Sequence, residues 1–243
     1  MNVRARGRAP LVVAAVGVLV LAGLAGGTSS AGVARDTPAA AHLVLNEVDY
    51  DNVGTDTQEF VEIFNGTGAG VPLADFAVVL VNGGTNLEYS RTMLAAAGTC
   101  LPARGYLVIA DDAVVPEPHA LVIRFPGAHD QIQNGQPDGV ALIDTGTQTL
   151  VDALSYEGSI TMAQIDGFPG PVSLVEGLPT PLSDSNTLQV SLAREPNGAD
   201  TDKSANDWAL AGPTPGFANS PSISSGTGLH GTCGRTPPPP AFR

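Results

Sequence analysis

The chain has a single lysine, Lys203, beside ten arginines, and twenty-four acidic residues oppose these eleven cations. Removing Arg4, Arg6 and Arg8 with an N-terminal leader leaves 8 basic against 24 acidic residues, 8 − 24 = −16. That balance excludes a general affinity for nucleic acid, which needs Lys and Arg to replace phosphate counter-ions. It also excludes docking on an anionic membrane surface. Catalytic motifs are missing as well. There is no GxSxG elbow, P-loop or CxxC, and none of the four histidines has HExxH spacing. His129-Asp130 is the one adjacent His–acid pair, and its polar surroundings read as solvated loop. The many Asp and Glu residues nominate no glycosidase dyad. No window carries a convincing amphipathic helix; residues 92–98 make at most a turn or two.

What is present begins with a leader. Arg4, Arg6 and Arg8 form a basic region, residues 11–24 an apolar core, and small residues lead to a cleavage site after Ala31 or Ala34. This is the layout of a secretory signal peptide over residues 1–34. The apolar core is shorter than the roughly 18 residues of a spanning helix and contains Gly17 and Gly23. No Cys follows it for lipid attachment, no second apolar span follows Ala41, and the last residues hold neither an LPxTG signal nor an apolar tail. The expectation is a secreted, extracellular protein with no stable membrane insertion after cleavage. Abundant Ala and Gly beside scarce Lys suggest a high-GC bacterial source. In an exported chain the two cysteines, Cys100 and Cys233, are expected to form a disulfide.

The body reads as short β-runs at 43–48, 59–64, 76–81, 87–91, 106–110, 121–125, 140–144, 150–156 and 188–194, with Gly, Pro, Asn and Asp between them. Residues 144–148 form a tight hairpin. This spacing predicts an all-β sandwich or barrel. Residues 158–186, rich in Gly, Pro and Ser with isolated Ile160, Met162, Ile165 and Phe168, read as a long loop. Residues 220–243 form a Ser/Gly/Pro-rich tail pinned at Cys233.

The order and spacing of NEVDYD at 46–51, QEFVEIFN at 58–65, VPLADFAVVL at 71–80, LPARGYLVIAD at 101–111, NGQPDGVALID at 134–144, VDALSYEG at 151–158 and SLAREPNGADTDKSANDWALAGPTPGFAN at 191–219 resemble a lamin tail domain of the exported bacterial type. The resemblance covers about residues 43–219. It implies an immunoglobulin-like β-sandwich of the lamin-tail type that is not an enzyme through this domain. Animal members bind proteins and DNA. Bacterial members stand alone or beside secreted nucleases, phosphatases or adhesion modules. The expected function is a non-enzymatic exported binding, adhesion or scaffold module of the cell envelope or extracellular space, with a protein or glycan partner and no nucleic acid. The alternatives are an accessory to a secreted nuclease- or phosphatase-type enzyme and a weak Ca²⁺-binding structural protein. A metal-dependent hydrolase using the acidic loops is the least favoured reading.

Two acidic segments are weak Ca²⁺ candidates, because Ca²⁺ takes carboxylate and carbonyl oxygens; no other cofactor is expected. The first is Asp49, Asp51 and Asp56, where Asx-turn chemistry is the favoured alternative. The second is Asp200, Asp202 and Asp207. It fails the EF-hand pattern because Ala205 replaces the required Gly and Ala211 the bidentate Glu. A capped turn presenting Trp208 to the core is the favoured reading there. Strand alternation places Val61 and Ile63 on one face and Phe60, Glu62 and Phe64 on the other. Glu62 is therefore expected to be structural, half-buried and paired with Arg104 or Arg194. Asn65-Gly66-Thr67 is a formal glycosylation sequon.

Overall fold

The computed structural model describes residues 42–219 and Cys233. The expected signal peptide, and the expected tail apart from Cys233, lie outside the described residues. The strands are β1 (Leu43–Asp49), β2 (Phe60–Asn65), β3 (Val71–Pro72), β4 (Phe76–Asn82), β5 (Leu87–Met93), β6 (Cys100–Leu101), β7 (Tyr106–Ala110), β8 (Leu121–Arg124), β9 (Asp138–Asp144), β10 (Thr149–Tyr156), β11 (Ser191–Arg194) and β12 (Trp208–Ala211). One helical turn, α1 (Ser204–Asp207), precedes β12, and a 3₁₀ turn occupies Leu94–Ala97. The sequence pattern misses β3 and β6 because they have two residues each, too few for alternation to register, and it misses β12, where Trp208-Ala-Leu-Ala has no polar residue to alternate with.

Two sheets carry the fold. The larger has the order β12-β11-β1-β2-β7-β8, antiparallel except for the β7–β8 pair. The smaller has the order β10-β9-β4-β5 and is antiparallel. Leu45, Val48, Val61, Ile63, Leu107 and Ile109 of the first meet Val78, Leu80, Val140, Leu142 and Leu154 of the second in one fully buried layer. Burying such side chains contributes roughly 1.5–3 kcal/mol each. Tyr50 and Tyr156 stack inside this layer with ring centroids 4.0 Å apart. The disulfide joins Cys100 to Cys233 with 6.3 Å between Cα atoms.

Both outer faces are covered by the chain itself. Residues 158–186 are irregular, as expected, yet their first half is a lid. Ile160, Ala163, Ile165 and Leu174 pack on Val79, Val81, Ala141, Ile143 and Ala153, the outward face of the smaller sheet. Backbone bonds fasten the lid: Ala163 and Val172 exchange N–H···O contacts of 2.8 and 2.9 Å, and Gln164 N donates to Asn86 O beside β5. The larger sheet is crossed by residues 212–219. A register shift between Leu45 and Glu47 makes Asn46 the extra residue of a β-bulge, turning Asn46 and Glu47 toward that strap.

Candidate functional site

Three groups of buried polar residues lie along β1, toward its start, its middle and its end. Toward the start of β1, Arg194 from β11 is fully buried. Its Nε donates to Leu45 O at 2.7 Å, Nη1 to Ala199 O at 2.9 Å and Nη2 to Asp152 Oδ1 at 2.7 Å. Asp152 accepts Leu45 N with its other oxygen at 2.8 Å, so this ion pair links the two sheets. Glu176, Asp200 and Asp207 lie 3.6, 3.4 and 3.5 Å from the guanidinium, whose other face meets the Trp208 ring at 4.9 Å. Burial lowers the Arg194 value, but Asp152, Asp200 and Glu176 outweigh it and hold it above the ordinary range. Burial, with Asp152 beside it, pushes Glu176 up to about 9. The hydrogen bond from His42, helped by Arg194, lowers Asp200 to about 2.

Glu176, Asp200 and Asp207 are, among the described residues, the carboxylates close enough together to share a metal ion, their ligand atoms within 4.8 Å. The Arg194 guanidinium already faces all three. Of the second Ca²⁺ candidate set, Asp200 and Asp207 therefore join a cage around an internal cation. Asp207 also fixes the turn before α1 by accepting Thr201 N, Thr201 Oγ1 and Lys203 N. Asp202 is exposed at φ 54°. Trp208 is buried at 4% exposure in the core. Sequence reasoning missed Asp152. Its signal was an acid inside the apolar run Val151–Leu154, matched by a cation inside the strand sequence Ser-Leu-Ala-Arg.

Beside the middle of β1, Glu62 on β2 has no exposed surface and, among the described residues, no Arg partner. This corrects the expected half-burial and the Arg104 or Arg194 pairing, since Arg194 serves Asp152. Glu62 instead accepts Asn46 Nδ2 at 2.7 Å and Gly216 N at 2.6 Å. Glu47, opposite it in register, accepts Ser191 Oγ, Thr214 N and Thr214 Oγ1. The two carboxyls thus hold the 212–219 strap. Burial raises both above their usual range, with Glu47 adding to the effect on Glu62. Asn219 closes the strap by donating to Asn46 O and Arg194 O, both at 2.9 Å.

At the end of β1, Asp49 stands beside the start of β2 and the end of β7, because Asp49 pairs with Phe60 and Phe60 with Ala110. The β1–β2 loop turns on Asn52. Its Nδ2 donates to Asp49 Oδ1 at 2.6 Å, its Oδ1 accepts Gln58 N at 2.6 Å, and its own N–H donates to Asp56 Oδ1 at 2.8 Å. Asp184 accepts Tyr50 N and Asp51 N, while Tyr50 Oη accepts Asp184 N at 2.8 Å. Glu59 accepts Gln131 N and Ile132 N, fixing the loop before β9. Asp49, Asp51 and Asp56 do not converge within one ion's coordination sphere. A cleft of about 260 Å³ opens among Asp49, Asp51, Asn52, Thr57, Gln58 and Gln189. Burial comes first in lifting the acids here: Asp49 to about 9, with Asp184, Glu47 and Glu59 adding, Glu59 to about 8, and Asp184 and Asp111 to about 6.

The sequon is sterically closed. Asn65 is fully buried and its Nδ2 donates to Ala69 O, Leu101 O and Pro102 O.

Two facing sheets around a single apolar layer, with irregular segments over the outer faces, define an immunoglobulin-like β-sandwich. The family model for the Lamin Tail Domain matches residues 36–158, and the chain belongs to that family, whose domain is non-catalytic. A sequence comparison with curated proteins found no match. The family match stops after β10, whereas the larger sheet needs β11 and β12 from beyond it.

Proposed function

We propose that this chain is a non-enzymatic, exported protein-binding module of the cell envelope or extracellular space. The observation supporting it is the covering of both sheet faces. The lid and the strap cover much of the two outer surfaces. A cleft of about 630 Å³ opens between the lid and the start of β5. An acidic cleft stays open at the loop end around Asp49, to which we assign recognition because a nearly buried carboxyl lines it. Loops carried on a rigid sandwich are a common place for binding. The buried carboxyls elsewhere are engaged in holding Arg194, the strap or, for Asp138, the backbone of Gly83 and Gly135.

The test is binding by the leaderless protein, immobilised, to separated envelope proteins and to a glycan array. Any captured protein is then purified and titrated back. Saturable one-to-one binding to a purified protein is expected. Binding to glycans alone, or turnover of chromogenic phosphodiester, ester or glycoside substrates, would refute the reading.

A further inference from the structure

The two carboxyl-rich ends of β1 differ in one respect. Around Leu45, four acids face the buried guanidinium of Arg194. Around Asp49 the acids Asp51, Glu59 and Asp184 are served by backbone and amide N–H groups. Among the described residues, no Arg, Lys or His side chain forms an ion pair with any of them. Burying a carboxylate without a counter-charge is unfavourable, and proteins normally offset it with a cation or with several hydrogen bonds.

Asp49 has neither. It keeps 3% of its surface, yet its one hydrogen bond is from Asn52 to Oδ1. Oδ2 has no partner among the described residues, and the residue lines the cleft. Asp51 lines the same cleft. Val53 and Leu188, exposed at 58% and 62%, also line it. A bare divalent ion suits this place poorly, because among the described residues no group of three carboxylates converges on it and the cleft is far larger than an ion. Apolar walls beside a buried acid match a charge carried on an aliphatic stem.

We infer that this cleft receives an arginine or lysine side chain of a partner polypeptide, its cation on Asp49 Oδ2 and Asp51 and its methylenes between Val53 and Leu188. The inference rests on the protein-binding reading and names the partner's chemistry. It places outside the molecule what Arg194 does within it. Burial among Asp184, Glu47 and Glu59 raises the Asp49 carboxyl to about 9, so it is largely protonated near neutral pH and gives up its proton as the partner's cation arrives.

The experiment follows backbone amide resonances of the leaderless protein during titration with the blocked peptide Gly-Ser-Arg-Ser-Gly. Parallel titrations use its lysine and citrulline versions, spermidine and CaCl₂. Saturable shifts at Asn52, Thr57, Gln58 and Gln189 with the arginine or lysine peptide, absent with citrulline, are expected. Asp49→Asn should weaken binding by about tenfold or more, the loss of one charge-assisted hydrogen bond. Asp51→Asn, at a less buried position, gives a second reading should Asp49→Asn fold poorly. Equal shifts from citrulline, unchanged affinity in both variants, or shifts from spermidine or Ca²⁺ but not from the peptides would overturn the inference. A purified partner bound equally by wild type and Asp49→Asn would sink the cleft assignment and leave the binding reading standing. Absence of any protein partner would sink the binding reading itself.

Discussion

Replacing Arg194 by Met keeps much of the side-chain volume and deletes the charge. In the wild type the guanidinium makes three hydrogen bonds of 2.7–2.9 Å, to Leu45 O, Ala199 O and Asp152, and faces Glu176, Asp200 and Asp207 at 3.4–3.6 Å. Breaking a fully buried pair by removing one partner costs about 3–5 kcal/mol, because the remaining charge is uncompensated. For a domain of this size each kcal/mol moves the melting temperature by about 2–4 °C, so the expected fall is roughly 6–20 °C at neutral pH. The deficit should shrink toward pH 4.5. Without the cation, the folded-state values of Asp152 and Asp200 rise, and groups so raised favour the folded state most below their unfolded values. Adding Asp152→Asn to Arg194→Met should recover part of the loss, since the orphaned charge goes with it. Scanning calorimetry of the wild type, both single variants Arg194→Met and Asp152→Asn, and the double variant at pH 7 and pH 4.5 measures all of this. If Arg194→Met melts within about 2 °C of wild type at pH 7, or its deficit grows on acidification, the caged-cation reasoning is wrong.

Further outcomes follow from the same contacts. Ile160→Ala, on the lid, should destabilise by about 2–5 kcal/mol in urea unfolding, as a core residue would; a change below about 0.5 kcal/mol would mean residues 158–186 are only a surface loop. Replacing Cys100 and Cys233 by Ser opens a bridge spanning 133 residues, for which the chain-entropy model gives about 5 kcal/mol, measured as the urea midpoint shift against the oxidised wild type. Asp49, Glu59 and Glu176 have folded values of about 9, 8 and 9, above their ordinary values. Their stabilising contribution is therefore complete below about pH 4 and is lost as pH rises through 8–9. Melting temperature should decline steadily from pH 5.5 to 9.5, and a flat or rising profile contradicts the burial of these acids.

The strands were legible wherever a run was long enough to alternate. β2 shows this: Val61 and Ile63 point to the core and Phe60, Glu62 and Phe64 away from it, as alternation requires. Burial of the second face was not legible. Alternation says which residues share a side, but covering comes from segments distant in sequence. Hence Glu62 was expected half-exposed beside an arginine, while Gly216, 154 residues on, supplies its donor. The Asn52-centred turn followed from local Asx chemistry, which needs only neighbours in the chain. The Arg194 cage did not, because its members come from β10, β11, α1 and two separate loops.

The position of β1 has a consequence for the order of folding. The first strand made is an inner strand of the larger sheet, hydrogen-bonded to β2 on one side and to β11 on the other. Leu45 O waits for Arg194, 149 residues away, and Asn46 for Asn219, 173 residues away. Contacts of such range form slowly, after loop closure over most of the chain. The larger sheet is therefore complete only once its C-terminal strands have been made. Until β11 and β12 are made, β1 keeps one edge unpaired and the Arg194 and Asn219 contacts to it are unmade.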